Sequence, residues 1–197
     1  VERLVPRGSE QRGRRILEER YNLEDALVVA TFLNSFVGHA QIVKIANMAQ
    51  LVNVIAPIFT NEKGLFLQTI YYPLQLFANH VKGKSLRLFE DGPSYKSKLF
   101  DDVHYLDSSA AYDNGTLVVS VVNRHRDHPV ETDLLLEDKR FAGPVEVSEV
   151  NGPDIKSEND FDSTQVKTAQ RSVTAEGPAL RYRFPPHSFT MLKAKLI

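Results

Sequence analysis

The chain changes character near residue 80. Before it, apolar residues recur at helical spacing; after it, short alternating runs are separated by Gly, Pro, Asn and Asp. A period of three to four lays one face of a helix on a core, and a period of two does the same for a strand. A chain that switches between them has to pack a helical layer beside a sheet-rich one. In the first part, Leu23, Ala26, Leu27, Ala30, Leu33 and Val37 predict an amphipathic helix over residues 23–37. Asn22 is its N-cap, Asp25 lies in the first turn where the helix dipole favours a carboxylate, and Gly38 ends it. The Arg- and Glu-rich segment 12–20 reads as an exposed approach or a separate helical turn. Residues 43–47 are short and β-branched, which suits a buried strand. Pro57 and the cluster at 61–64 mark turns. Residues 69–80 predict a second helix, with Pro73 tolerable only near its first turn.

The second part offers strand candidates at residues 85–89, 103–106, 116–122, 130–136, 145–150, 179–184 and 188–196. Asp113-Asn-Gly115 is a tight-turn signal between two of them. Short strands at this spacing predict an antiparallel sandwich. Residues 151–172, with few apolar side chains, read as a long exposed loop.

One run stands out within the helical part. Residues 43–58 are apolar enough to be buried, yet they carry Asn47, Gln50 and Asn53. A buried amide without a partner costs roughly 1–3 kcal/mol. Either neighbouring backbone satisfies all three, or they form the edge of a ligand site.

Composition narrows the function classes. The 24 basic and 25 acidic side chains nearly cancel, so no overall field favours nucleic acid or an anionic membrane. No stretch approaches the ~20 apolar residues that span a bilayer. The absence of cysteine excludes disulfides and thiolate chemistry, and a cytoplasmic location is the expectation. The polar start does not read as a signal peptide. Leu4-Val-Pro-Arg-Gly-Ser9 reads as a thrombin recognition sequence of the kind built into expression vectors, a natural loop being the alternative. Residues 1–11 are therefore set apart as a linker segment. With Val at position 1, the chain is expected to start inside something larger.

The search for catalysis is negative. His125 and His128 lie in what reads as a solvated turn, and His187 enters the last strand, where a structural role fits. Neither a metal nor a cofactor is expected. Glu24 and Asp25 are explained by helix capping, while Asp101, Asp102, Asp107 and Asp113 fall in the strand-rich half. Sugar hydrolysis commonly needs two carboxylates flanking the scissile bond, and the 43–58 run contains none.

Residues 21–30 (Tyr-Asn-Leu-Glu-Asp-Ala-Leu-Val-Val-Ala) and the whole 43–58 run closely resemble the C-terminal portion of family-51 α-L-arabinofuranosidases. Gln68-Thr-Ile-Tyr-Tyr-Pro73, Tyr105-Leu-Asp-Ser-Ser-Ala110, Val121-Val-Asn-Arg124 and Phe184-Pro-Pro-His-Ser188 resemble the same family in the same order. The resemblance implies a mixed fold: the last part of a (β/α)8 TIM barrel in residues 12–83, then an antiparallel β-sandwich of jelly-roll type in residues 84–197. Residues 23–37 would be the seventh barrel helix, 43–47 the eighth strand and 69–80 the eighth helix. Barrel chemistry sits at the C-terminal ends of strands, and the resemblance gives Gln50 the role of hydrogen-bonding the arabinofuranose. Asn47 and Asn53 would be supporting or structural amides.

The match also has a gap. The family's acid/base Glu and its nucleophilic Glu, in an Asp-Glu-Trp stretch, have no counterpart here, and the sequence holds no Trp. The implied partner is an N-terminal part carrying both carboxylates and seven strands. The implied reaction is release of terminal non-reducing α-L-arabinofuranosyl groups from arabinoxylan, arabinan and their oligosaccharides, by a homo-oligomer that is often a hexamer. The chain alone is then expected to be poorly soluble or molten. A stand-alone carbohydrate-binding sandwich, offering Tyr95, Tyr105, Tyr112 and Tyr182 to sugars, or a purely structural module, is the competing reading.

Overall fold

A reciprocal cap starts the first helix. In the computed structural model, which describes residues 18–62, 64–175 and 177–197, the Asp25 N–H donates to the Asn22 side chain at 3.3 Å and the Asn22 N–H donates to Asp25 at 2.8 Å. Two N–H groups that the helix leaves open are thereby satisfied. Helix α1, Leu23–Gly38, buries Leu23, Ala26, Leu27, Ala30 and Asn34 along one stripe. A hairpin follows, β1 (Ile58–Asn61) with β2 (Gly64–Leu67), and then helix α2, Tyr71–His80. Pro73 sits in the first turn of α2, where its missing N–H is not needed. The linker segment with the thrombin-like spelling lies outside the described residues.

The remaining strands are β3 (Lys84–Leu86), β4 (Ser94–Tyr95), β5 (Val103–His104), β6 (Leu106–Asp113), β7 (Thr116–Asn123), β8 (Val130–Leu135), β9 (Val145–Asn151), β10 (Lys167–Val173), β11 (Ala179–Phe184) and β12 (Ser188–Lys195). Six of them form one antiparallel sheet in the order β10-β9-β12-β7-β6-β3, while β8 and β11 pair as a separate ribbon. Strands β6 and β7 meet with Asp113 opposite Thr116, so the connection is Asn114-Gly115 alone. Both residues take positive φ, 46° and 79°, as a two-residue hairpin turn requires.

The six-stranded sheet is covered on both faces. Val118, Val122, Val150, Phe189 and Met191 pack beneath Leu23, Leu27, Leu76 and Phe77 of the helices. The Phe77 and Phe189 rings stack with centroids 5.7 Å apart. On the opposite face Val119, Val121, Val145, Val147 and Leu192 meet Leu180, Tyr182 and Phe184 of the ribbon. This explains why β7 reads Leu-Val-Val-Ser-Val-Val instead of alternating: every residue after Thr116 is buried. At roughly 1.5–3 kcal/mol for each large side chain removed from water, these two layers dominate the stability.

Two expectations are corrected. Residues 43–47 form no strand, and the 43–58 run is largely exposed, with Ile45 at 78% and Leu51 at 64%. A lone strand leaves its N–H and C=O groups without a ladder, so this stretch stays irregular unless neighbouring strands are supplied. Residues 151–172 are not an exposed loop: they contain most of β10 and bury Ser157, Asn159 and Val166. The architecture is therefore mostly β, a sandwich with two helices laid on its outer face.

Candidate functional site

Gln50 lies on the exposed stretch between α1 and β1, as does Asn47, and neither side chain has a partner among the described residues. Asn53 differs. Its backbone turns with φ 59°, and its side chain accepts from the Thr60 N–H at 2.8 Å and donates to the Thr60 hydroxyl at 3.2 Å. The Asn53 N–H also donates to the Ile58 carbonyl at 2.8 Å, and Val52 bridges to Ile58. Asn53 is thus a structural amide that ties the Gln50 stretch to the hairpin.

The buried amide here is Gln68. Its Nε2 donates to the carbonyls of Ala56 at 2.9 Å and Glu19 at 3.2 Å, and its Oε1 accepts from the Tyr21 N–H at 2.9 Å. The Tyr21 hydroxyl donates to the Ile55 carbonyl at 3.1 Å. Burial raises the Tyr21 pKa, with Glu19 and Asp25 adding to it, so this donor keeps its proton. Residues 53–58 are therefore fastened from beneath, which fixes one end of the stretch that carries Gln50. The signal was present in the sequence as an amide inside the apolar run Leu65-Phe-Leu-Gln-Thr-Ile70, but it was used only as part of the resemblance.

Two further polar nodes join helices to sheet. Asn34 donates to the Asp107 carbonyl at 2.9 Å and its carboxylate at 2.8 Å, and accepts from the hydroxyls of Ser109 and Ser120. The same Asp107 pairs with Arg124. Asn159 donates to the carbonyls of Leu67 at 3.0 Å and Val166 at 2.8 Å and to the Tyr72 hydroxyl at 3.4 Å, and accepts from the Val166 N–H at 2.9 Å.

Three of the candidate acids are engaged structurally. Glu24 pairs with Lys156, Asp25 caps α1 and Asp107 is shared by Asn34 and Arg124. His125 accepts through Nδ1 from the N–H groups of Asp127 and His128, at 3.2 and 3.1 Å, which places its proton on Nε2. His187 bonds the Arg126 carbonyl from a backbone with φ 38°. Among the described residues no three His, Cys, Asp or Glu side chains converge as metal ligands. Of the tyrosines that could face a sugar, Tyr182 is buried, Tyr112 has the Lys139 ammonium over its ring at 5.8 Å, and Tyr95, Tyr105 and His125 lie ring to ring at 5.0 and 4.6 Å.

A family model described as the alpha-L-arabinofuranosidase C-terminal domain matches residues 5–188. The chain belongs to this family. It is 36% identical over 188 residues to the intracellular exo-alpha-(1->5)-L-arabinofuranosidase 1 of Bacillus subtilis, covering 92% of this chain and 37% of that protein. It is 34% identical over 186 residues to alpha-L-arabinofuranosidase C of Emericella nidulans, covering 90% of this chain and 36% of the relative. Among solved structures, an alpha-L-arabinofuranosidase from Thermotoga maritima in complex with arabinose superposes with a TM-score of 0.83 at 24% identity, over 93% of this chain and 41% of that one. The GH51 arabinofuranosidase of Xanthomonas axonopodis pv. citri gives 0.79 at 25%, over 91% and 37%. The arabinofuranosidase C-terminal domain chain thus spans little more than a third of the curated relatives it matches.

Proposed function

We propose that this chain is the C-terminal part of a retaining α-L-arabinofuranosidase. It would supply Gln50 to the pocket that holds the terminal sugar and would cap the catalytic barrel with its sandwich. The observation that carries the reading is the family match over nearly the whole chain, joined to a Gln50 amide that has no partner among the described residues and stands on a stretch whose following residues are pinned by Asn53, Gln68 and Tyr21.

Residues 12–83 are then the end of a (β/α)8 barrel and 84–197 a jelly-roll sandwich. Residues 43–47 become its eighth strand when the seven strands of the N-terminal part stand beside them. The exposed side chains Val28, Phe32 and Phe36 on α1, with Ile42 and Ile45, form the surface that part would cover. Both carboxylates reside on that partner: one Glu attacks the anomeric carbon and the other passes the proton to the leaving oxygen, giving a glycosyl-enzyme intermediate that water resolves. Gln50 hydrogen-bonds a sugar hydroxyl. The substrates are terminal non-reducing α-L-arabinofuranosyl groups of arabinoxylan, arabinan and their oligosaccharides. The enzyme is a homo-oligomer, with a hexamer as the expected state. A cytoplasmic location is supported by the word intracellular in the name of the Bacillus relative.

The test is release of p-nitrophenol from p-nitrophenyl α-L-arabinofuranoside by this chain alone and together with the N-terminal part. Activity only in the mixture supports the reading; activity in the chain alone overturns the placement of the carboxylates. In the assembled enzyme, Gln50→Ala is expected to lower kcat/KM by roughly 0.5–1.5 kcal/mol in transition-state terms, the worth of one hydrogen bond to an uncharged group. A change under about twofold removes Gln50 from the site.

A further inference from the structure

Between hairpin β1–β2 and residues 160–164 lies a cleft of about 290 Å³. One wall is aromatic. Phe66 stacks on Phe59 at 5.4 Å and meets Phe161 edge to face at 4.8 Å, and Phe161 is only half-buried. Tyr72 lines the cleft as well, its hydroxyl held by Asn159. The other wall is polar: Asp160, Ser163 and Thr164. Asp160 spends Oδ1 on the N–H groups of Asp162 and Ser163, at 2.8 and 2.7 Å, which fixes the turn and leaves Oδ2 as a free acceptor. Asn159 clamps the start of this loop to both Leu67 and Val166, so both walls are built on fixed backbone.

An apolar ring facing a carboxylate and two hydroxyls matches a neutral sugar. The C–H face packs on the ring, and the sugar hydroxyls donate to Oδ2. Among the described residues the charged groups that line the cleft are the carboxylates of Asp160 and Asp162. The cleft is also tied to Gln50. Val52 bridges to Ile58, and Ile58 pairs with Leu67, a cleft residue. Gln50 stands two residues before Val52, so a short run of bridged and paired backbone joins it to the cleft. We propose that this cleft binds a sugar unit of a neutral pentosan chain whose terminal unit is held at Gln50. The proposal rests on the arabinofuranosidase reading above.

The experiment uses the assembled enzyme, unsubstituted and with Phe161→Ala or Ser163→Trp. Ser163 is exposed, so the Trp fills the cleft without opening the Phe59–Phe66 pair, and this variant decides if Phe161→Ala loses stability. Two quantities are measured: the ratio of kcat/KM on linear α-1,5-arabinan to that on the aryl arabinofuranoside, and calorimetric binding of arabinopentaose. The ratio is expected to fall, and Kd to rise, by about fivefold or more. A Ser163→Trp enzyme with both quantities within twofold of the unsubstituted one overturns the proposal. If the unsubstituted assembly is inactive on the aryl substrate, the arabinofuranosidase reading falls and calorimetry alone judges the cleft. Weakening by Ser163→Trp then supports it; equal affinity, or no binding by the unsubstituted protein, overturns it.

Discussion

Residues 42–55 and 152–166 reverse what their compositions announce. The first stretch is mostly apolar and lies open to solvent; the second is mostly polar and buries Ser157, Asn159 and Val166 against the helices. Apolar content measures the demand for a partner, and that partner need not be on the same chain. Polar content is no barrier to burial when each group meets its complement. The 152–166 segment satisfies this fully: the Leu23 and Glu24 N–H groups at the head of α1 donate to the Ser157 and Ile155 carbonyls, both at 2.9 Å.

The contrast can be broken most forcefully at Asn159. Asn159→Ala leaves a buried N–H and two carbonyls unpaired and should cost about 3–5 kcal/mol in denaturant unfolding; a loss under about 1 kcal/mol would mean the segment is held by shape alone. Gln68→Leu should cost about 2–3 kcal/mol and, by loosening residues 53–58, raise KM on the aryl arabinofuranoside in the assembled enzyme. Tyr182 sharpens the comparison by pH. Burial holds its pKa up to about 12, Arg171 opposing and Glu149 adding. The unfolded chain gives up this proton first, near the ordinary value of about 10, so stability should fall between about pH 10 and 12. Tyr182→Phe should flatten that limb relative to the unsubstituted protein. The smallest effect belongs to the open stretch: Ile45→Ser should change the stability of the isolated chain by no more than about 0.5 kcal/mol. The same substitution should weaken assembly with the N-terminal part, read as lost activity in the mixture. A large destabilisation of the isolated chain would mean Ile45 is packed within it.

Legibility followed the range of the determining interactions. Helix α1 was readable because its cap, stripe and stop lie within seventeen residues, and the β6–β7 hairpin because Asn114-Gly115 sets it locally. The 43–47 strand failed because a ladder is a property of pairs. The burial of Asn159 was invisible because its partner Leu67 is 92 residues away. Gln50 was reached through family resemblance, since nothing in its own neighbourhood separates a ligand-facing amide from a solvated one. The doubly covered sheet was missed: residues 116–122 were read only as a sandwich strand, although an unbroken apolar run is the mark of burial on two sides, and nothing in it says that helices supply one of them.

Strand β12 comes last in sequence order yet stands between β7 and β9 in the middle of the sheet. During synthesis β6 and β7 can close as one hairpin and β9 and β10 as another, but the two remain unjoined until Ser188–Lys195 has left the ribosome. The helices wait as well, because Phe189 and Met191 form part of their floor. Until then a nascent chain of this kind carries two half-finished sheets with open edges, and that interval is one of high need for chaperones.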